Sequence, residues 1–282
     1  MFEQITILGP GLLGASIAMA VKERGLAKRV HTWSRRAETR AKSAEQLWCD
    51  AVFETAGESV RGSDLVIVCT PVETIVPLVA AVQNDLSPEV IITDVGSTKR
   101  QICEGMDQLL KDDGPIFVGS HPMAGSEQAG MAHARVDLLD GAACIVVAHE
   151  SESAAEIRVK EFWIKLGMRV CTKTAREHDA IVAHVSHLPH LLASSLCAYL
   201  AEKNPNGAWL ALSGGGFRDT TRVASGDPEL WKQILMGNRE QVIAAIEGFE
   251  AELDQFKAAL QSGRADVLKE FLNEGRQFRE KL

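Results

Sequence analysis

The sequence predicts an α/β domain built on a mostly parallel sheet over residues 1–174, followed by an all-helical domain over 175–282. Three observations lead there. Short apolar runs that end in glycine or proline alternate with helical patterns through the first half. Strand signals stop after Val170-Cys171-Thr172. A length of 282 residues suits about two domains.

Taken in order, residues 5–8 are a short apolar run ending at Gly9, and 12–23 carry helical periodicity. A second strand falls at 30–33. Leu65-Val66-Ile67-Val68-Cys69, closed by Thr70-Pro71, is the continuous apolar run of a strand buried on both faces. Residues 90–95 repeat that pattern and stop at Gly96, and 116–119 and 143–147 add two more strands. Alternation with helices implies right-handed crossovers. From Arg176 onward helices are expected over 176–203, 208–215, 229–260 and 264–280, punctuated by Asn204-Pro205-Asn206-Gly207 and Gly226-Asp227-Pro228.

Composition excludes several classes. With 46% hydrophobic and 24% charged residues, the chain is neither disordered nor fibrous. Its 30 basic and 38 acidic residues leave a net charge of −8 with no basic run, which excludes the electrostatic footprint of a nucleic-acid binder. A local arginine cluster still allows an anionic substrate. Six cysteines form no C-x-x-C pair, so neither a zinc ribbon nor a thioredoxin-like site is expected. No signal peptide is visible. Residues 180–201 lack Asp, Glu, Lys and Arg, but their three histidines, three serines and Pro189 suit a helix buried in protein better than a membrane span. A cytoplasmic location is expected, with no membrane partner.

Gly9-Pro10-Gly11-Leu12-Leu13-Gly14 is G-x-G-x-x-G, following a strand and opening a helix. The first glycine permits a tight turn, the second lets backbone approach a pyrophosphate, and the third allows close helix–strand packing. Free N–H groups of the helix N-terminus then face the phosphates. A Rossmann-type dinucleotide site is expected at Gly9, Gly11, Leu12, Leu13 and Gly14, with Thr70 at the end of a neighbouring strand. Trp33-Ser34-Arg35-Arg36 closes the second strand and has no carboxylate until Glu38. An NAD site places Asp or Glu there, whereas Arg accommodates a 2′-phosphate. Ser34, Arg35 and Arg36 therefore favour NADP, with NAD possible; a solvated pair of arginines is the plainer alternative.

Asp94-Val95-Gly96-Ser97-Thr98-Lys99 lies at the C-terminal end of the strand at 90–95, where ligands of open α/β sheets bind. Ser97 also reads as a helix cap. Gly119-Ser120-His121-Pro122-Met123-Ala124-Gly125-Ser126-Glu127 follows another strand. An imidazole there, titrating near neutrality, is the natural proton acceptor for alcohol oxidation at a nicotinamide. In the helical half, His178-Asp179 precedes Ser186-His187-Leu188-Pro189-His190. Histidines at 184, 187 and 190 invite a metal, but Pro189 disturbs the helix that would align them, and no further ligand motif supports one. A kinked helix facing a cavity is expected instead, with no metal. Gly214-Gly215-Gly216-Phe217-Arg218-Asp219-Thr220-Thr221-Arg222 reads either as a flexible link or as backbone and guanidinium brought close to a carboxylate.

Together GPGLLGAS, DVGSTK, GSHPMAGSE, the His178-Asp179 pair, SHLPH and GGGFRDTTR with Trp231 resemble the prephenate/arogenate dehydrogenase family of tyrosine biosynthesis, across nearly the whole chain. The resemblance implies oxidative decarboxylation of prephenate or arogenate, and an all-helical dimerisation domain forming an intertwined homodimer. It implies His121 as acceptor of the ring 4-hydroxyl proton, with Ser97 orienting His121 and the nicotinamide. Arg222 would bind the ring carboxylate. His187, His190 and Gly215 would line the substrate pocket, Asp179 and Arg218 would pair at its entrance, and Trp231 would come across the dimer. A β-hydroxyacid dehydrogenase shares the two-domain plan but wants a catalytic Lys motif not seen here. A non-catalytic NADP-responsive regulator is the rival from another class.

Overall fold

The computed structural model describes residues 2–125, 128, 130–148 and 152–281. Ser126 and Glu127 of the loop after His121 lie outside them. The first half runs β1 (Phe2–Leu8), α1 (Leu12–Glu23), β2 (Ala27–Trp33), α2 (Ala37–Ala44), β3 (Ala51–Val52), α3 (Ala56–Val60), β4 (Leu65–Val68), α4 (Val72–Val82), β5 (Ile91–Asp94), α5 (Arg100–Leu109) and β6 (Ile116–Val118). Its six strands pair in the order β3-β2-β1-β4-β5-β6, all parallel. The order reverses between β1 and β4, and that switch point opens the crevice in which such sheets bind ligands. The central strands are buried on both faces: Ile5, Ile7, Leu8, Leu65, Ile67, Val68 and Ile92 are all fully buried. Two apolar clusters, one on each face, flank the sheet.

The next strands leave this sheet. β7 (Ser120–Pro122), β8 (Ala143–Val147) and β9 (Arg169–Lys173) form a second sheet, with α6 (Ala154–Lys165) between β8 and β9. β7 runs antiparallel to β8, and β8 parallel to β9. The segment at 143–147 is thus a strand as expected, but of a separate sheet. Gly119 separates β6 from β7, where an added Cβ would lie 3.1 Å from Val147. His121 accordingly sits inside a short strand, in register with Ile145, and not in a loop beyond one.

Beyond Lys173 the described chain is helical: α7 (Ala175–Val182), a π-helical turn at Ala183–His187, α8 (Leu188–Lys203), α9 (Gly215–Thr221), α10 (Pro228–Gly237), α11 (Arg239–Gln261) and α12 (Ala265–Arg279). A reciprocal capping box opens α7: Thr174 Oγ1 accepts from the Glu177 N–H at 3.2 Å, and the Thr174 N–H donates to Glu177 Oε2 at 2.8 Å. The π turn sits just ahead of Pro189, which lacks an N–H and whose ring crowds the carbonyl four residues back. Two expected helices are corrected. Residues 208–212 form only a 3-10 turn, and helix resumes from the glycine run as α9. The helix expected over 229–260 breaks at Asn238, whose side chain is drawn into the site described next.

Candidate active site

The glycine turn has the shape its sequence requires. Gly9 has φ +95°, and a Cβ there would meet the Cys69 carbonyl oxygen at 2.8 Å; at Gly14 it would meet the Gly9 carbonyl oxygen at 2.5 Å. Only glycine serves the turn and the close helix packing. At Gly11 a Cβ would meet nothing within 4 Å, and no side chain caps α1. Space and unclaimed N–H groups therefore face the switch point, flanked by the first-turn residues Leu12 and Leu13. Thr70, across the crevice at the end of β4, has a buried hydroxyl without a partner. These features fit a dinucleotide pyrophosphate.

The turn after β2 is braced by a residue the sequence reading passed over. Arg40 of α2 donates to the carbonyl oxygens of Ser34 at 2.9 Å and Arg35 at 3.2 Å, and pairs with Glu54 at 2.6 Å. Ser34 Oγ accepts from the Arg36 N–H at 3.4 Å. Arg35 and Arg36 themselves are exposed.

At the end of β5 the side chains become dense. Asp94 is fully buried: Oδ2 accepts from Lys99 Nζ at 2.5 Å and from the Gly96 N–H at 2.8 Å, and Oδ1 accepts from the Ser120 N–H at 3.1 Å. Ser97 is half-buried, with no side-chain cap at the start of α5. The expected cap comes instead from Asp179 of α7, whose carboxylate accepts from the N–H groups of Lys99 (2.8 Å) and Arg100 (3.0 Å).

His121 does not rest on Ser97. Its Nδ1 lies 2.8 Å from His178 Nε2, and His178 Nδ1 lies 2.7 Å from Asp179 Oδ1. The carboxylate only accepts, so His178 carries its proton on Nδ1 and offers a bare Nε2. His121 must then donate from Nδ1, which leaves Nε2 as its acceptor. Burial pushes His121 well below the ordinary imidazole range, helped by His178, Lys99 and His187. The near-neutral titration expected from sequence is thereby corrected. His178 is lowered too, first by burial.

The expected Asp179–Arg218 ion pair does not form. Asp179 is buried, with its oxygens taken by two backbone N–H groups and His178, while Arg218 is exposed on α9 beside the equally exposed Gly215.

His187 and His190 meet through Trp231. The indole stacks on His190 at 3.5 Å and 10°, and meets His187 edge-on at 6.2 Å. Trp231 thus reaches these histidines within its own chain. Gly226 permits the stack, since a Cβ there would lie 2.6 Å from the indole nitrogen. Burial lowers the His190 pKa from its ordinary value. Asn238 Nδ2 donates to the Asp179 carbonyl oxygen at 2.7 Å and lies 3.3 Å from His187 Nδ1. His187 Nε2 and His190 Nδ1 are buried without partners. Burial lowers His187 to about 4. Among the described residues no His, Cys, Asp or Glu cluster could hold a metal.

A search for related proteins matches two family models in succession. Residues 17–172 match the prephenate dehydrogenase nucleotide-binding domain, and 174–274 the prephenate dehydrogenase dimerization domain. The cyclohexadienyl dehydrogenase of Zymomonas mobilis is 31% identical over 282 residues, covering 99% of this chain and 96% of that one. Aquifex aeolicus prephenate dehydrogenase, solved with hydroxyphenyl propionate and NAD+, superposes with a TM-score of 0.92 at 28% identity, covering 100% and 98% of the two chains. Synechocystis arogenate dehydrogenase gives 0.84 at 28% identity, covering 99% of each.

Proposed function

The chain belongs to the prephenate dehydrogenase family, and from that premise we propose that it oxidatively decarboxylates prephenate, arogenate or both in tyrosine biosynthesis, with NADP favoured over NAD. The observation that carries this reading is the chain Asp179–His178–His121, which leaves a neutral imidazole with an open acceptor at the mouth of a dinucleotide crevice. When bound, the nicotinamide supplies the hydride acceptor. His121 Nε2 takes the proton of the ring 4-hydroxyl as C4 gives up hydride. The C1–carboxylate bond breaks to carbon dioxide, and its electron pair completes the aromatic ring. Arg222 holds the ring carboxylate in a bidentate fork. His187, His190, Trp231 and Gly215 line the pocket around the rest of the substrate, with Arg218 at its rim, and Ser97 faces the nicotinamide.

The two domains are taken as 1–174 and 175–282. A homodimer in the cytoplasm completes the proposal, and it gives the apolar surface of the helical half a partner: Tyr199, Trp209, Leu212, Met236 and Phe278 are all exposed in the single chain. Steady-state turnover of prephenate and arogenate with NADP and NAD tests the reading. Turnover of at least one substrate, faster at low NADP than at equal NAD, is expected. No turnover with any of the four pairs overturns the activity, and preference for NAD overturns the cofactor assignment alone.

A further inference from the structure

We propose that the buried Lys99–Asp94 pair is a positioning device for the reaction, fixing His121 against the Ser97 loop. The inference rests on His121 as proton acceptor, and its geometry forms a closed circuit. Asp94 holds the Ser97 loop through the Gly96 N–H and the His121 strand through the Ser120 N–H. Ser120 Oγ returns a bond to the Asp94 carbonyl oxygen at 2.7 Å and lies 2.7 Å from Thr93 Oγ1. Lys99 Nζ clasps Asp94 and the Thr98 carbonyl oxygen at 3.0 Å, while the Lys99 N–H binds Asp179. Asp179 leads through His178 back to His121. One lysine thus joins both ends of the ring that sets the imidazole's position.

Stability alone does not account for the pair. Lys99 and Asp94 are both fully buried, and such a pair gains little over apolar side chains of similar size. Its charge does have a use. The groups acting on His121 are His178 from α7, His187 from the π turn and Lys99 at the start of α5; Asp179 and Asp94 act on its partner His178, and Cys144 of β8 lies beside its backbone. Burial keeps Cys144 a neutral thiol, and Lys99, alongside His178 and His187, acts against protonation of His121.

The test combines two variants of the full-length protein with ring-labelled histidine, followed by NMR titration without cofactor and by steady-state kinetics. Asp94→Asn with Lys99→Met removes both charges at similar volume. His121 should then titrate higher by roughly one pH unit, and kcat should fall about 10-fold or more with KM nearly unchanged. Ser120→Ala loosens the strand while leaving both charges, so it should lower kcat without moving the titration. A folded double variant with unaltered titration and kcat overturns the proposal. Should the double variant fail to fold, an unimpaired Ser120→Ala enzyme overturns it equally. A titration shift in the double variant alongside full activity of His121→Asn would instead locate the error in the assignment of His121.

Discussion

The surroundings of His121, the proposed base, keep its imidazole neutral. Because burial lowers its pKa, the neutral form persists to lower pH than for a free imidazole, and protonation removes activity only below that range. The acid limb of kcat/KM should therefore lie below pH ~6.5, and His121→Asn should abolish it with a loss of about 10²–10⁴-fold. A limb centred at or above the free-imidazole value, or near-full turnover by the variant, contradicts this. At the other end of the crevice, replacing Arg35 and Arg36 by Ala should raise the KM for NADP roughly 10-fold or more and leave that for NAD within twofold. Equal losses with both nucleotides would show the arginines to be structural. The glycine turn was legible in the sequence by type and position, and His121 and the bare Ser34-Arg35-Arg36 run stood out there as candidates. The relay was not legible. His178 and Asp179 stand out only as a pair, and what they join lies 57 and 80 residues away.

At the scale of elements, legibility followed periodicity. The apolar runs that became β4 and β5 could be little else, because a strand covered on both faces must be apolar at every position. Sheet membership was hidden, since nothing local distinguishes β6 from β8; a glycine and a change of partner separate them. The helix break at Asn238 is likewise tertiary: its side chain prefers the Asp179 carbonyl to a continued helix. Gly226 read as punctuation, yet its missing Cβ is what admits the indole to His190. Gly226→Ala should displace Trp231, cost about 0.5–1.5 kcal/mol of stacking, and raise the substrate KM a few-fold with cofactor affinity intact. An unchanged KM would remove Trp231 from the pocket.

For the whole molecule, the buried histidines set its response to acid. Burial lowers the pKa of His31, His121, His178, His187 and His190, so the unfolded chain binds protons that the native state refuses. Stability is therefore fullest above pH ~6.5 and drains away as pH falls toward the folded values, the one at His187 being about 4. Each histidine contributes up to about 1.4 kcal/mol per pH unit in its window. Urea midpoints should fall steeply between pH 6.5 and 4.5; a flat profile there would mean that the imidazoles take up protons without unfolding. One contact described above also restricts how the crevice exchanges its contents. Asp179 belongs to the helical half but caps a helix of the sheet half, and its neighbour His178 holds His121. A hinge swing about residue 174 would have to uncap α5 and break that imidazole pair together. The Lys99 and Arg100 amide hydrogens should therefore exchange with solvent only when that contact between the two halves opens.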